Sequence, residues 1–122
     1  MKKKIAVLTL CAMLLALYGS ADAQQPGKVP RIGYLDSSTA AGNTVLVEAF
    51  RQELSKLGWI EGKNVTIEYR FGESKGPARV RELAAELVRL KVDLIVASGS
   101  PTALTVQRAT TTIPIVMANV GD

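Results

Sequence analysis

The sequence predicts an α/β fold, a doubly wound, Rossmann-like parallel sheet with strand order 2-1-3-4. Two observations carry that reading. From Arg31 onward, short apolar runs alternate with segments of helical period, the pattern of successive βα units. The later runs, Asp93–Ala97 and Ile115–Ala118, are continuously apolar, as in strands covered on both faces, whereas residues 64–70 alternate and read as an edge strand.

The first strand is Arg31–Asp36. A small polar loop leads into a helix with Leu46, Ala49, Phe50, Leu54 and Leu57 on one face. Gly58 reads as the left-handed cap that stops this helix, with Trp59 or Ile60 folding back onto its last turn. Glu61-Gly62-Lys63 then turns the chain into the second strand, Asn64–Arg70. There Val65, Ile67 and Tyr69 alternate with Thr66, Glu68 and Arg70. The second helix, about Ala78 to Lys91, gathers Val80, Leu83, Ala84, Leu87 and Val88 on one face; Glu82 and Glu86 lie in range of Arg89 and its neighbours. A third, shorter helix is expected to start at Pro101 with Ser100 as its cap. By polarity, strands three and four are central and strand two lies at an edge.

The amino terminus reads as an export signal. Lys2, Lys3 and Lys4 precede an apolar run from Ile5 to Leu17, and Ala21-Asp22-Ala23 offers a small-x-small cleavage site. The run of 13 residues is short of the roughly 20 that span a membrane, so the reading is export to the periplasm with cleavage after Ala23. Cys11 is a poor lipidation site, because Leu10 stands where a small residue is wanted. Residues 24–30, with Pro26, Gly27 and Pro30, form a flexible leader, and residues 31–122 form one α/β unit. Removing Lys2–Lys4 and Asp22 leaves 12 basic and 10 acidic residues, a net charge of +2. With no basic cluster interleaved with aromatics, nucleic acid is not an expected partner.

In an open parallel sheet, ligands bind beyond the carboxyl ends of the strands. Those ends carry Asp36-Ser37-Ser38-Thr39, Ser98-Gly99-Ser100-Pro101-Thr102 and Asn119-Val120-Gly121-Asp122. The second is the most informative: a glycine-containing loop that opens a helix leaves backbone N–H groups and a positive dipole end facing outward, suited to a carboxylate. Ser98, Ser100 and Thr102 add hydroxyls, although Ser100 could equally serve as the cap alone. Asp36 could accept a ligand ammonium or cap the following turn. Trp59 and Tyr69 are assigned to packing.

Catalytic constellations are missing. The sequence has no histidine, and its one cysteine lies within the signal segment. Nucleophile-elbow, phosphate-loop and dinucleotide fingerprints do not occur, nor does EF-hand spacing. No catalytic residue, metal or cofactor is assigned.

Several segments together resemble the substrate-binding proteins of ABC transporters, in particular members that capture aromatic amino acids such as tryptophan. They are Arg31-Ile-Gly-Tyr-Leu35, Phe50–Gly58, Glu61–Val65, Ile67–Arg70, Leu83–Val88, Val92–Val96, Ser98–Thr102 and Ala109-Thr110 followed by Ile113–Val116. The resemblance covers nearly all of residues 31–122. It implies a periplasmic-binding-protein fold of two α/β lobes that close on a small solute and dock, as a monomer, on a membrane permease. It further implies that Ser37, Ser38, Ser98, Ser100, Thr102 and Asn119 line the cleft. By that comparison the chain is an N-terminal, incomplete lobe, expected to be marginally stable and to bind weakly by itself. Two other functions remain open at this stage: the sensing ectodomain of a signalling receptor, and an exported α/β enzyme.

Overall fold

The computed structural model describes residues 28–118. The signal segment, Cys11, most of the leader and Asn119 lie outside the described residues. Four parallel strands, β1 (Arg31–Asp36), β2 (Thr66–Phe71), β3 (Leu94–Ser98) and β4 (Ile115–Ala118), form one sheet in the order β2-β1-β3-β4. Helices α1 (Thr44–Lys56), α2 (Pro77–Arg89) and α3 (Ser100–Ala109) connect them. A single 3-10 turn, Ala41–Asn43, runs directly into α1.

The predicted order is the observed one, and β2 is an edge strand. Among the described residues β4 lies at the other end of the order, with β1 and β3 between it and β2. Continuous apolarity reports what a strand is able to bury. Met117 is half exposed on β4.

The pleat sorts the core into two layers. On one side of the sheet Ile32, Tyr34, Leu94, Val96 and Val116 pack with Leu54 of α1, joined by the partly buried Phe50 and Trp59. On the other side Leu35, Ile95 and Ala97 meet Val80, Leu83, Ala84 and Leu87 of α2 and Ala103 and Val106 of α3. Tyr34 is ringed by Phe50, Tyr69 and Phe71 at centroid distances of 5.7, 5.9 and 6.2 Å. Tyr69 and Phe71 lie nearly parallel. Both Trp59 and Tyr69 therefore pack, as expected.

Helix α1 stops as its sequence demands. Trp59 N–H donates to the Leu54 carbonyl and Gly58 N–H to that of Ser55, the paired bonds of a Schellman ending, with Trp59 folded against the core. The charged pairs differ from those expected: Glu82 pairs with Arg79, and Glu86 reaches out of its helix to Arg70 on β2. A neighbouring strand offers a fixed guanidinium, whereas a pair within one exposed helix must hold two mobile side chains. Pro30, at the end of the leader, is buried, and its carbonyl accepts from Thr66 N–H at 2.9 Å. Among the described residues, no helix is long and apolar enough to cross a membrane.

Candidate functional site: the carboxyl end of the sheet

Parallel register fixes which side chains meet beyond the strands. Ile32, Tyr34 and Asp36 point to the α1 side of the sheet, as do their partners Leu94, Val96 and Ser98, so each apolar column ends in a polar residue. Asp36 is paired with Ser98, and both are buried. Further out, the chain folds over them.

The β1–α1 corner is held by a chain of side-chain hydrogen bonds. Asp36 Oδ1 accepts from the Ser38 N–H at 2.7 Å and from the Ser38 hydroxyl at 2.6 Å. Asn43, 1% exposed, donates through Nδ2 to Ser38 Oγ at 2.7 Å and to the Thr39 carbonyl at 2.9 Å. Burial pushes the Asp36 carboxyl up. The Ser38 hydroxyl, Ser98, the Ser38 amide and Asn43 together outweigh that and hold it below its ordinary value. Tyr34 beneath it is pushed up, chiefly by burial, opposed by Ser98 and assisted by the Asp36 charge.

Two buried polar atoms in this region have no hydrogen-bond partner, Asn43 Oδ1 and Ser98 Oγ. Ser98 stands close enough to Asp36 and Tyr34 to lower both, yet completes a hydrogen bond to neither. Groups of this kind cost stability and call for an explanation.

The β2–α2 loop closes the corner from the side. Gly72, Glu73 and Ser74 donate their N–H groups to the carbonyls of Asp36, Ser38 and Ser37 at 2.8, 2.9 and 2.9 Å, extending the β1–β2 ladder past the strands. Glu73 and Ser74 hold φ of 54° and 57°, a left-handed backbone that non-glycine residues rarely adopt. Gly72 is required by contact: a Cβ there would stand 2.9 Å from the Ser37 carbonyl oxygen. This loop is absent from the residues expected at the site. Its signal, Gly72 and Gly76 bracketing small and charged residues, reads only as a turn.

In the β3–α3 loop, Gly99 at φ +93° is the residue before α3, and its N–H is tied to the Ala118 carbonyl at 2.9 Å. The helix begins at Ser100, not Pro101, and Ser100 makes no capping bond: Gly99 occupies the cap position. A positive φ is accessible to glycine, and serine behind it is carried into the first turn. Ser100 is exposed and Thr102 buried. Ser37 is exposed and Ser38 half-buried. The structure thus brings Ser37, Ser38, Ser98, Ser100 and Thr102 to the same end of the sheet. Among the described residues no group of histidine, cysteine or carboxylate side chains is arranged to hold a metal ion.

A shallow groove of about 210 Å³ lies elsewhere, between α1 and the amino end of β2, over Trp59 and Ile67. Its polar rim is self-satisfied: Arg51 bonds Glu48 and Glu61 at 3.0 and 2.9 Å. It is remote from the loops beyond the strands.

The carboxyl edge of this α/β lobe thus carries two buried polar side-chain atoms without partners, beside the ends of β1 and β3. Comparison gives the class of protein a name: the family model for ABC transporter substrate binding proteins matches residues 39–122, and the chain belongs to that family. The fold matches a substrate binding protein with adhesive properties from Clostridium difficile, solved ligand-free and open, with 28% identity and a TM-score of 0.69. That match covers 77% of this chain and 32% of the other. A conserved domain protein from Vibrio cholerae matches with 27% identity and a TM-score of 0.71, over 78% and 32% of the two chains. An ABC domain from Streptococcus pneumonia, solved with L-Trp, shares the fold at a TM-score of 0.70 with 23% identity, over 78% and 32%. The chain therefore spans about a third of the length of these structures. No match was found among curated proteins.

Proposed function

We propose that this chain supplies the first lobe of an extracytoplasmic solute-binding protein of an ABC import system, exported by residues 1–23 and active in the periplasm without catalysis. The solute, an amino acid or another small carboxylate, is held between two lobes at the carboxyl ends of β1, β3 and β4. The protein acts as a monomer and delivers its cargo to a membrane permease by lobe closure. The observation that carries this reading is the pair of buried polar atoms without partners, Asn43 Oδ1 and Ser98 Oγ, at that edge. A solute that hydrogen-bonds Ser98 Oγ repays part of its desolvation.

The two loops divide the work by charge. The outward N–H groups of α3, with Ser98, Ser100 and Thr102, suit a carboxylate. Asp36, held ionised, suits an ammonium. Ser37 and Asn119 complete the proposed lining, while the Ser38 hydroxyl, already donating to Asp36, contributes as an acceptor. The test is thermal shift of the full-length gene product against amino acids and small carboxylates, since a ligand selective for the native state stabilises it by mass action. A saturable shift for one compound, lost in Ser100→Ala/Thr102→Ala, is expected. No shift across the panel refutes solute capture at this edge.

A further inference from the structure

We propose that Asn43 is a positioning residue of this cleft: its buried carboxamide directs the Ser38 hydroxyl and thereby sets the Asp36 carboxylate that meets the solute. The inference rests on the cleft proposed above.

Asn43 occupies the residue before α1, where asparagine ordinarily caps the helix by accepting an N–H bond from its first turn. Here it makes no such bond. The side chain turns back into the β1–α1 corner instead, and its oxygen is left buried without a donor. The 3-10 turn Ala41–Asn43 runs directly into α1, and the Thr44 N–H donates to the Ala41 carbonyl, so the entry to the helix is bonded without this side chain. Asn43 places both amide protons on the corner, one on Ser38 Oγ and one on the Thr39 carbonyl.

The direction of the network follows from donor counting. The Thr39 carbonyl can only accept, so the group facing it at 2.9 Å is the amide nitrogen. That same nitrogen faces Ser38 Oγ at 2.7 Å, so the serine oxygen accepts there and its single proton goes to Asp36 Oδ1 at 2.6 Å. Without Asn43 the Ser38 hydroxyl is free to rotate away. With it, Asp36 receives a fixed donor, and the corner presents a net acceptor to the solute. Of the titratable groups, Tyr34 lies in reach of Asp36; Ser38, Ser98 and Asn43, its other neighbours, are neutral.

The experiment is carbon-13 NMR titration of the Asp36 carboxyl in the full chain, in wild type, Asn43→Ala, Ser38→Ala and the double variant. Asn43→Leu, which is of similar size, removes both donors and adds no charge, stands in should Asn43→Ala not fold. The midpoint is expected to rise toward the ordinary carboxylate value in Asn43→Ala, and the same substitution is expected to add little once the Ser38 hydroxyl is gone. An unchanged midpoint in Asn43→Ala, or an equal rise with and without Ser38, overturns the inference. Calorimetry on the full-length protein adds a second readout with L-tryptophan, tryptamine and indole-3-propionate. Asn43→Ala is expected to weaken the two amines about tenfold and spare the acid. Equal weakening of all three refutes a role through Asp36. Binding of none of them by wild type counts against the choice of solute class, and the titration then decides on Asn43 alone.

Discussion

Replacing Gly72 with alanine tests how tightly the second loop holds the proposed site. The added methyl group meets the Ser37 carbonyl oxygen at 2.9 Å, the Ser37 Cα at 3.3 Å and Val80 Cγ2 at 3.1 Å. Two of these neighbours are backbone, so the strain is not relieved by a rotamer change. Gly72 is not among the glycines with positive φ, and the substitution carries no left-handed penalty. The cost is that of overpacking, about 1–3 kcal/mol. For a domain of this size that corresponds to a fall in Tm of roughly 5–20 °C. The relaxation has one easy direction, separation of residues 72–74 from 36–38. Hydrogen exchange at Glu73 and Ser74, whose N–H groups donate to Ser38 and Ser37, should accelerate beyond the global loss. Gly62→Ala is the control, since φ is +84° there and nothing lies within 4 Å. It should cost about 1–2 kcal/mol through backbone strain and leave those two amides at the protection its stability dictates. An unchanged Tm and unchanged exchange in Gly72→Ala would show that the β2–α2 loop does not clamp the β1–α1 corner.

Two other outcomes are expected from the same geometry. Leu87 of α2 is fully buried over Gly33 of β1, so Leu87→Ala should destabilise the domain by about 2–5 kcal/mol, read by urea unfolding; a loss under about 1 kcal/mol would mean the α2 layer is loosely packed. Asp36 has a native pKa below the 3.8 of an unfolded carboxylate, so its contribution is present above that value and is lost as pH falls through the native one. Asp36→Asn should therefore flatten the acid limb of stability below about pH 4, measured by Tm against pH.

The fold was legible because each element carries its own signal. β1 and β4 were bounded correctly, and β3 is shifted by one residue, since Asp93 is charged at the start of the run and Ser98 continues the ladder at its end. The strand order followed from polarity alone. What did not follow were the details that depend on contact. Ser100 has the composition of a cap, but Gly99 takes the capping position because of its φ. Glu86 has a basic residue within its own helix, yet Arg70 reaches it from another element. Asn43 sits in a run of small polar residues that reads as a loop, and only the folded corner shows that its amide is buried. The spacing Asp36-x-Ser38 with Asn43 seven residues beyond the aspartate was the available signal, and it is weak because such residues fill most polar loops.

The location of the candidate site is a consequence of register more than of any motif. Two-residue periodicity sends Ile32, Tyr34 and Asp36 to one face, and parallel pairing aligns Leu94, Val96 and Ser98 beside them. The apolar part of each column is covered by α1, whose 3-10 entry turn arrives at the polar end and brings Asn43 with it. A shift of β3 by one residue would move Ser98 to the α2 and α3 layer and place Ala97 opposite Asp36, burying the carboxylate against a methyl group. The sequence resists that shift, because Ile95 and Ala97 are already needed to close the layer around Leu87 and Val106. The packing that makes the core two-sided therefore also fixes Asp36 and Ser98 side by side. The proposed binding edge, built this way, stays intact as long as the sheet does, and the exposed Ser37 and Ser100 beside it can change without disturbing the strands.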